Sequence, residues 1–316
     1  MYLHEYQSKQ YFARFGIQTP PGKTAETEQE AFAAASEFGV PVVVNAQALD
    51  NQRVFRLAQT PEQARLDATD ILAMTLSGVR VGTVLIEPAT RVAAEYFLGI
   101  YGDRGSSWLM IASSAGGHDI SEIERAYPHT LSRETIKPFL GVLEFQARNL
   151  ASGLNLPREH WNAFTQIAQN LYRCAVACDA VRAEINPLGL TSSGELLALG
   201  GKLVIDDNAL FRQTELASIR DVKAEPPSAV EARAAGISYV HLSGSIGCVV
   251  SGAGLGMATL DMLARHNAAG SSLLDLGGDI QRDKISAALR LILPDARAVL
   301  FNIFADKTSC VEAARE

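Results

Sequence analysis

Cysteine, tryptophan, clustered basic residues and long apolar runs are all scarce in this chain, and each scarcity excludes something. The 316 residues hold four cysteines and two tryptophans. Cys174 and Cys178 stand four apart in "LYRCAVACDAV", which reads as a helix, so both thiols can face one side of it. Neither Cys248 nor Cys310 has a His or Cys at ligand spacing, so the four thiols do not make a metal box, and buried apolar packing is the role expected of them. Lysine and arginine are scattered and the formal net charge is -7, which argues against a nucleic-acid partner, because binding a phosphate backbone needs grouped cations. No apolar run reaches the ~18 residues of a membrane span, and Met1–Tyr6 lacks the basic flank and apolar stretch of a signal peptide. No membrane association is expected, and a cytoplasmic location is.

What is present is a large apolar reservoir, 47% of residues against 20% charged, at a length for which ~2 to 3 domains is the prior. "LHEYQSKQYFARFG" places Leu3, Tyr6, Tyr11 and Phe12 at helical spacing and stops at Gly16. "TEQEAFAAASEFG" opens with a Thr-x-x-Glu capping box and closes on Gly39 before the apolar strand Val40 to Val44. A helix with Pro61 in its first turn follows, then strands in "TVLIEPAT", "AEYFLGIYGD" and "SWLMIASSAGG". Residues 121–180 read as mostly helical, and "AVRAEINPLGLTSSGELLALGGKLVID" as two strands joined at Thr191–Gly194.

The charged segment "RDVKAEPPSAVEARAAG" reads as turn-prone and precedes a change of character. From Ser238 onward strands and helices alternate through to a final short helix, the pattern of a parallel, doubly wound sheet. The boundary is placed between residues 229 and 230.

Five strings, "LHEYQSKQYFARFGI", "AEYFLGIYGDR", "AEINPL", "GKL" followed by "DDNALFRQ", and "GSIGCVVSGAGLGMATLD", occur in the order and approximate spacing of one family. The chain resembles the β subunits of ADP- or GDP-forming succinate–CoA ligases and their malate–CoA relatives. The resemblance implies an N-terminal ATP-grasp fold over 1–229 and a C-terminal flavodoxin-like parallel-sheet domain over 230–316, one expected to stop at Glu316 before it would be complete. It also implies an α-subunit partner that carries coenzyme A and a phosphorylated histidine, with ATP or GTP and magnesium as cofactors and a small dicarboxylate as substrate. None of this chain's six histidines is expected to be the phosphorylated one.

Carried over residue by residue, Glu184 matches the glutamate that positions the histidine and Asn186 matches a magnesium ligand. Two apart on a strand, they can face one site. Pairing of Glu184 with Arg182 or Lys202, and a turn role for Asn186 before Pro187, is the structural alternative. Glu87 and Glu95 match positions contacting the nucleotide base or ribose, or else are solvated strand-end charges. Ser251, Gly252, Ala253 and Gly254 lie at the turn facing substrate and phosphohistidine in the family, where free backbone N–H groups meet a helix start.

The departures fall on phosphate and metal groups. Asn45 stands at the position of a phosphate-binding lysine, and the glycine-rich loop after it has shrunk to the glycine-free "ALDNQRVF". Gly200 replaces the second magnesium ligand, an aspartate, Ser251 replaces an asparagine, and Ala305-Asp306 replaces a glycine pair. Three functions follow as alternatives. The chain is an acid–thiol ligase subunit with altered nucleotide and magnesium handling, or a noncatalytic regulatory or scaffold subunit that binds the α subunit. The third is a dinucleotide-binding protein, with Gly252-x-Gly254 at a helix start and Asp275 about 20 residues on, although a third glycine at 256 is one position early.

Overall fold

Capping residues fix the first helices. The computed structural model describes residues 1–49, 53–102, 107–278, 280 and 282–304, and the chain divides into two units, Met1–Ala224 and Glu225–Glu316. Helix α1 (Glu5–Arg14) ends just before Gly16, whose φ of 78° carries the chain out of the helix at no steric cost. After strand β1 (Lys23–Ala25), helix α2 (Glu28–Phe38) starts at the reciprocal Thr27–Glu30 box. Strands β2 (Val42–Ala46) and β3 (Phe55–Ala58) lead to α3 (Pro61–Leu72), capped by Thr60 with proline in its first turn. A two-stranded hairpin, β4 (Thr75–Leu76) and β5 (Val79–Arg80), precedes β6 (Val84–Pro88).

These strands build an antiparallel sheet in the order β1-β6-β2-β3. Ala31, Ala34 and Ala35 of α2, with Ala64, Ala68 and Ile71 of α3, pack on Val42, Val44, Val84 and Ile86. Alternation along β2 puts Val42, Val44 and Ala46 in that core, so Asn45 faces away from it.

The second sheet of this unit uses β7 (Val92–Gly102) and β8 (Trp108–Ser113), then, after helix α4 (Ile120–Ala126), β9 (Leu131–Ile136). Helices α5 (Glu144–Gly153) and α6 (Trp161–Ala177) follow, then β10 (Ala180–Thr191), β11 (Leu196–Ala198), β12 (Gly201–Ile205) and helix α7 (Thr214–Ser218). The order is β11-β10-β7-β8-β9, all antiparallel, with β12 also paired to β10. Phe164, Ile167, Ala168 and Leu171 recur along α6 at helical spacing and bury against Leu98, Ile100 and Met110 of the sheet, with Phe12 of α1 in the same core. Cys174 and Cys178 are buried there as free thiols.

The 121–180 stretch is mostly helical, as expected, with β9 paired to β8 inside it. One expectation changes here. The strand expected after Gly194 is two, β11 and β12, interrupted at Leu199-Gly200 where β10 shifts register between Ile185 and Leu188.

The second unit opens with α8 (Pro227–Ala234), so the segment read as turn-prone contains a helix begun by Pro227. Strands β13 (Ser238–His241) and β14 (Ile246–Val250), helix α9 (Ala253–Arg265), strand β15 (Gly270–Asp275), helix α10 (Arg282–Ile292) and strand β16 (Ala298–Asn302) follow. The sheet order is β13-β15-β14-β16. β14 runs parallel to β15 and β16, while β13 is antiparallel to β15. A link of four residues from β13 to β14 is too short for a parallel crossover, which accounts for the direction of β13. Val249, Leu274, Ile285, Ala288 and Ile292 form this unit's own core. The expected final helix, Ala305-Asp306 and Cys310 lie outside the described residues. Among the described residues no helix is long and apolar enough to cross a membrane.

Candidate functional site

Strand parity brings the first group together. Arg182, Glu184 and Asn186 alternate along β10 onto one face, and Lys202 of β12 stands directly opposite Glu184. With Asn45 and Arg53 they line a single cleft of the first unit.

Glu184 is 4% exposed, and a carboxylate at that depth needs partners. It has them. Arg182 donates from Nε to Oε1 at 2.6 Å and from Nη2 to Oε2 at 2.8 Å, a bidentate fork, and the Tyr101 hydroxyl donates to Oε1. The guanidinium also lies 5.6 Å from the centre of the Tyr101 ring and 3.9 Å from Asp119. Burial, followed by the charge of Glu184, pushes the Tyr101 hydroxyl well above its ordinary pKa, so it stays a donor. The pairing of Glu184 with Arg182 is therefore real, and it leaves one acceptor position on Oε2.

Asn186 sits at the register shift, beside a cis peptide to Pro187. Its amide clamps the segment after β8: Oδ1 accepts from the Gly117 N–H at 2.8 Å, and Nδ2 donates to the His118 carbonyl at 2.8 Å. The Asn186 backbone carbonyl accepts from Arg53 Nη2, and Arg53 Nη1 donates to the Gly117 carbonyl at 3.3 Å.

Gly200 faces this arrangement. A Cβ placed on it would lie 2.0 Å from the Asn186 carbonyl oxygen and 2.4 Å from Arg53 Nη2. No side chain fits at residue 200, where the Asn186 backbone carbonyl and Arg53 together fill the space. Among the described residues, no group of three or more His, Cys, Asp or Glu is placed to hold a metal ion.

The other nucleotide-side candidates are not in this cleft. Glu87 lines a separate pocket and is bound through both oxygens by Lys9 Nζ at 2.8 Å each, with Glu5 3.1 Å from the same ammonium. Burial pushes the Glu87 carboxyl up to about 7 even though Lys9 pulls it down. Lys9 takes one position on each Glu87 oxygen, and each oxygen keeps a further acceptor position toward its own pocket. Glu95 is exposed on β7, next to the backbone of Gly116 and Gly117. It does not line the cleft of Glu184.

In the second unit the expected turn is satisfied internally. The Gly252 N–H donates to Asp275 Oδ1 at 2.6 Å, and the Gly277 N–H donates to the same oxygen at 2.9 Å. Ser251 Oγ donates to the Phe304 carbonyl at 2.9 Å and accepts from the Phe304 N–H at 2.8 Å. Ala253 and Gly254 begin α9, and a Cβ at Gly252 or Gly254 would meet nothing within 4 Å, so the turn faces open space. Asp275 is folded onto the glycine turn as its internal anion, which counts against its presenting a carboxylate to a dinucleotide ribose.

Tyr101 and Lys9 escaped the reading of the sequence. Tyr101 meets the group through the pairing of β7 with β10, where it stands opposite Arg182. Lys9 reaches Glu87 across 78 residues of chain. Neither contact leaves a local trace.

Comparison with known proteins places this geometry in context. Residues 2–190 match the ATP-grasp domain family. The β subunit of ADP-forming succinate–CoA ligase from Chloroflexus aurantiacus is 44% identical over 324 aligned residues, covering 100% of this chain and 85% of that protein. The GDP-forming β subunit from Thermus thermophilus is 40% identical over 322, again covering 100% and 85%. Among solved structures, an ATP citrate lyase from Methanosaeta concilii in complex with (3S)-citryl-CoA superposes with a TM-score of 0.63 at 17% identity, covering 98% of this chain and 81% of that one. A dinucleotide-forming acetyl-coenzyme A synthetase from Ca. Korarchaeum cryptofilum gives 0.55 at 15% identity, covering 65% and 93%. At such identities the structural likenesses speak to the fold, and with the domain match they establish an ATP-grasp architecture.

Proposed function

The chain belongs to the family of succinate–CoA ligase β subunits, and from that premise we propose that it serves as the β-type subunit of an acid–thiol ligase, joining a small dicarboxylate to coenzyme A together with an α subunit. The observation that carries this reading is the Glu184 site. A carboxylate held at 4% exposure by Arg182 and Tyr101, with one acceptor position left, suits the orientation of an imidazole N–H brought by a partner. Glu184 then acts as the group that orients the α subunit's phosphorylated histidine. The dicarboxylate, succinate or malate, belongs near Ser251 and Gly252. There a ligand carboxylate must compete with Asp275 for the Gly252 N–H.

Magnesium, which the family's use of ATP or GTP implies, does not fit the donors that the described residues present. The amide oxygen of Asn186 already accepts from Gly117, the charge of Glu184 is already neutralised by Arg182, which repels a second cation, and residue 200 has no side chain and no room for one. This mismatch favours, as the alternative, a noncatalytic subunit that binds the α subunit without turnover.

Co-expression with an α subunit from the same genome decides between the two. A complex that forms the CoA thioester from succinate or malate with ATP or GTP supports the ligase, and Glu184→Gln should then lower formation of phosphohistidine about tenfold or more. A stable complex without turnover supports the noncatalytic subunit. Absence of a complex rules out both.

A further inference from the structure

Arg53 occupies the space that a side chain at residue 200 would need. Its guanidinium is held by the Asn186 and Gly117 carbonyls, both neutral, so the bonds fix its position without cancelling its charge. Two of its five N–H groups are used this way, and the others remain for a further acceptor. The acids among the described residues of the cleft are already engaged: Glu184 with Arg182 and Tyr101, Glu5 with Lys9, and Asp119 with the Ser121 N–H and, at 3.9 Å, with Arg182. Asn45 and Lys202 share the cleft. A fixed cation with spare donors thus stands where the described residues offer no metal-ligand cluster.

We infer that Arg53 takes the place of a divalent cation in this cleft and binds a phosphate-bearing anion directly, so that binding is independent of metal. The inference rests on the reading of the cleft as the phosphoryl site of a ligase-type subunit. A planar guanidinium matches two phosphate oxygens at once and is always charged, which a hydrated metal ion without carboxylate ligands cannot match in fixed position. The anchoring carbonyls hold the fork before any ligand arrives, which reduces the entropy lost on binding.

Titration calorimetry of the whole chain with inorganic tripolyphosphate, once with EDTA and once with excess Mg²⁺, is the test. Saturable binding in EDTA that Mg²⁺ does not strengthen is expected, with a weakening of about tenfold in Arg53→Gln and a smaller one in Arg53→Lys, which keeps the charge but not the fork. Arg173→Gln, an exposed cation on α6, should bind as the parent does. In parallel, Mn²⁺ alone, followed by electron paramagnetic resonance, should show no saturable site.

No binding in EDTA, tighter binding with Mg²⁺, a saturable Mn²⁺ site lost in Glu184→Gln, or undiminished binding by both Arg53 variants would each overturn the inference. Should Arg53→Gln fail to fold, Arg53→Lys and the comparison of EDTA with Mg²⁺ still decide. All of these measurements use the chain alone, so failure to recruit an α subunit and failure to bind the polyphosphate are separate results.

Discussion

Glu87 and Glu184 are both buried carboxylates paired with a cation, yet their surroundings give them different consequences. Glu184 receives a bidentate guanidinium and a hydroxyl, whereas Glu87 relies on one ammonium that it shares with Glu5. Burial outweighs Lys9 and lifts the Glu87 carboxyl from 4.5 to about 7. A carboxyl whose pKa is raised on folding holds its proton more tightly in the native state. The stability it contributes is therefore full below about pH 4.5 and is lost as the pH rises through about 7. Over that window the group should remove up to about 3 kcal/mol. Urea unfolding at several pH values should show this slope in the parent protein and a flatter one in Glu87→Gln. The slope is the readout, since the substitution also changes the pairing of Lys9. Equal slopes would mean that Glu87 titrates normally.

At the scale of elements, helix α6 supplies the apolar stripe that closes the main core, and Phe164 on it is fully buried. Phe164→Ala should cost about 3–5 kcal/mol in denaturant unfolding, while Phe211→Ala, at a residue 78% exposed, should stay within about 0.5 kcal/mol of the parent. A small loss at Phe164 would contradict the packing described. The first three helices were legible because their ends are written locally, in Thr27 and Glu30, Thr60 and Pro61, Gly16 and Gly39. Strand β9 was not, since "LSRETI" fully buries only Ile136 and shows no apolar alternation. The break at Gly200 was also hidden, because it answers a register shift in β10 that only the assembled sheet displays. The same limit applies to the site. Spacing alone could place Glu184 beside Asn186, but the commitment of Glu87 to Lys9 depends on how α1 lies against β6.

For the whole molecule, the two units have separate cores, one set of residues ending at Leu216 and the other confined to 232–303. Both tryptophans, Trp108 and Trp161, belong to the first unit. Tryptophan emission should therefore follow the first unit alone, while far-ultraviolet circular dichroism follows both. The two denaturation curves should not coincide, and a fragment of residues 1–224 should keep the emission transition of the full chain. Superimposable curves would mean that the units unfold as one.

The shared space of Gly200 and Arg53 bears on the history open to this chain. A carboxylate introduced at residue 200 would strike the guanidinium and the Asn186 carbonyl, so that single step leads downhill in stability before it can confer anything. Replacing Arg53 alone would give up the clamp on Gly117 and Asn186 without opening the position, because the Asn186 carbonyl stands nearer still. Residue 200 is thereby closed by main chain as well as by side chain, so admitting a carboxylate there requires the junction of β10 and β12 itself to move.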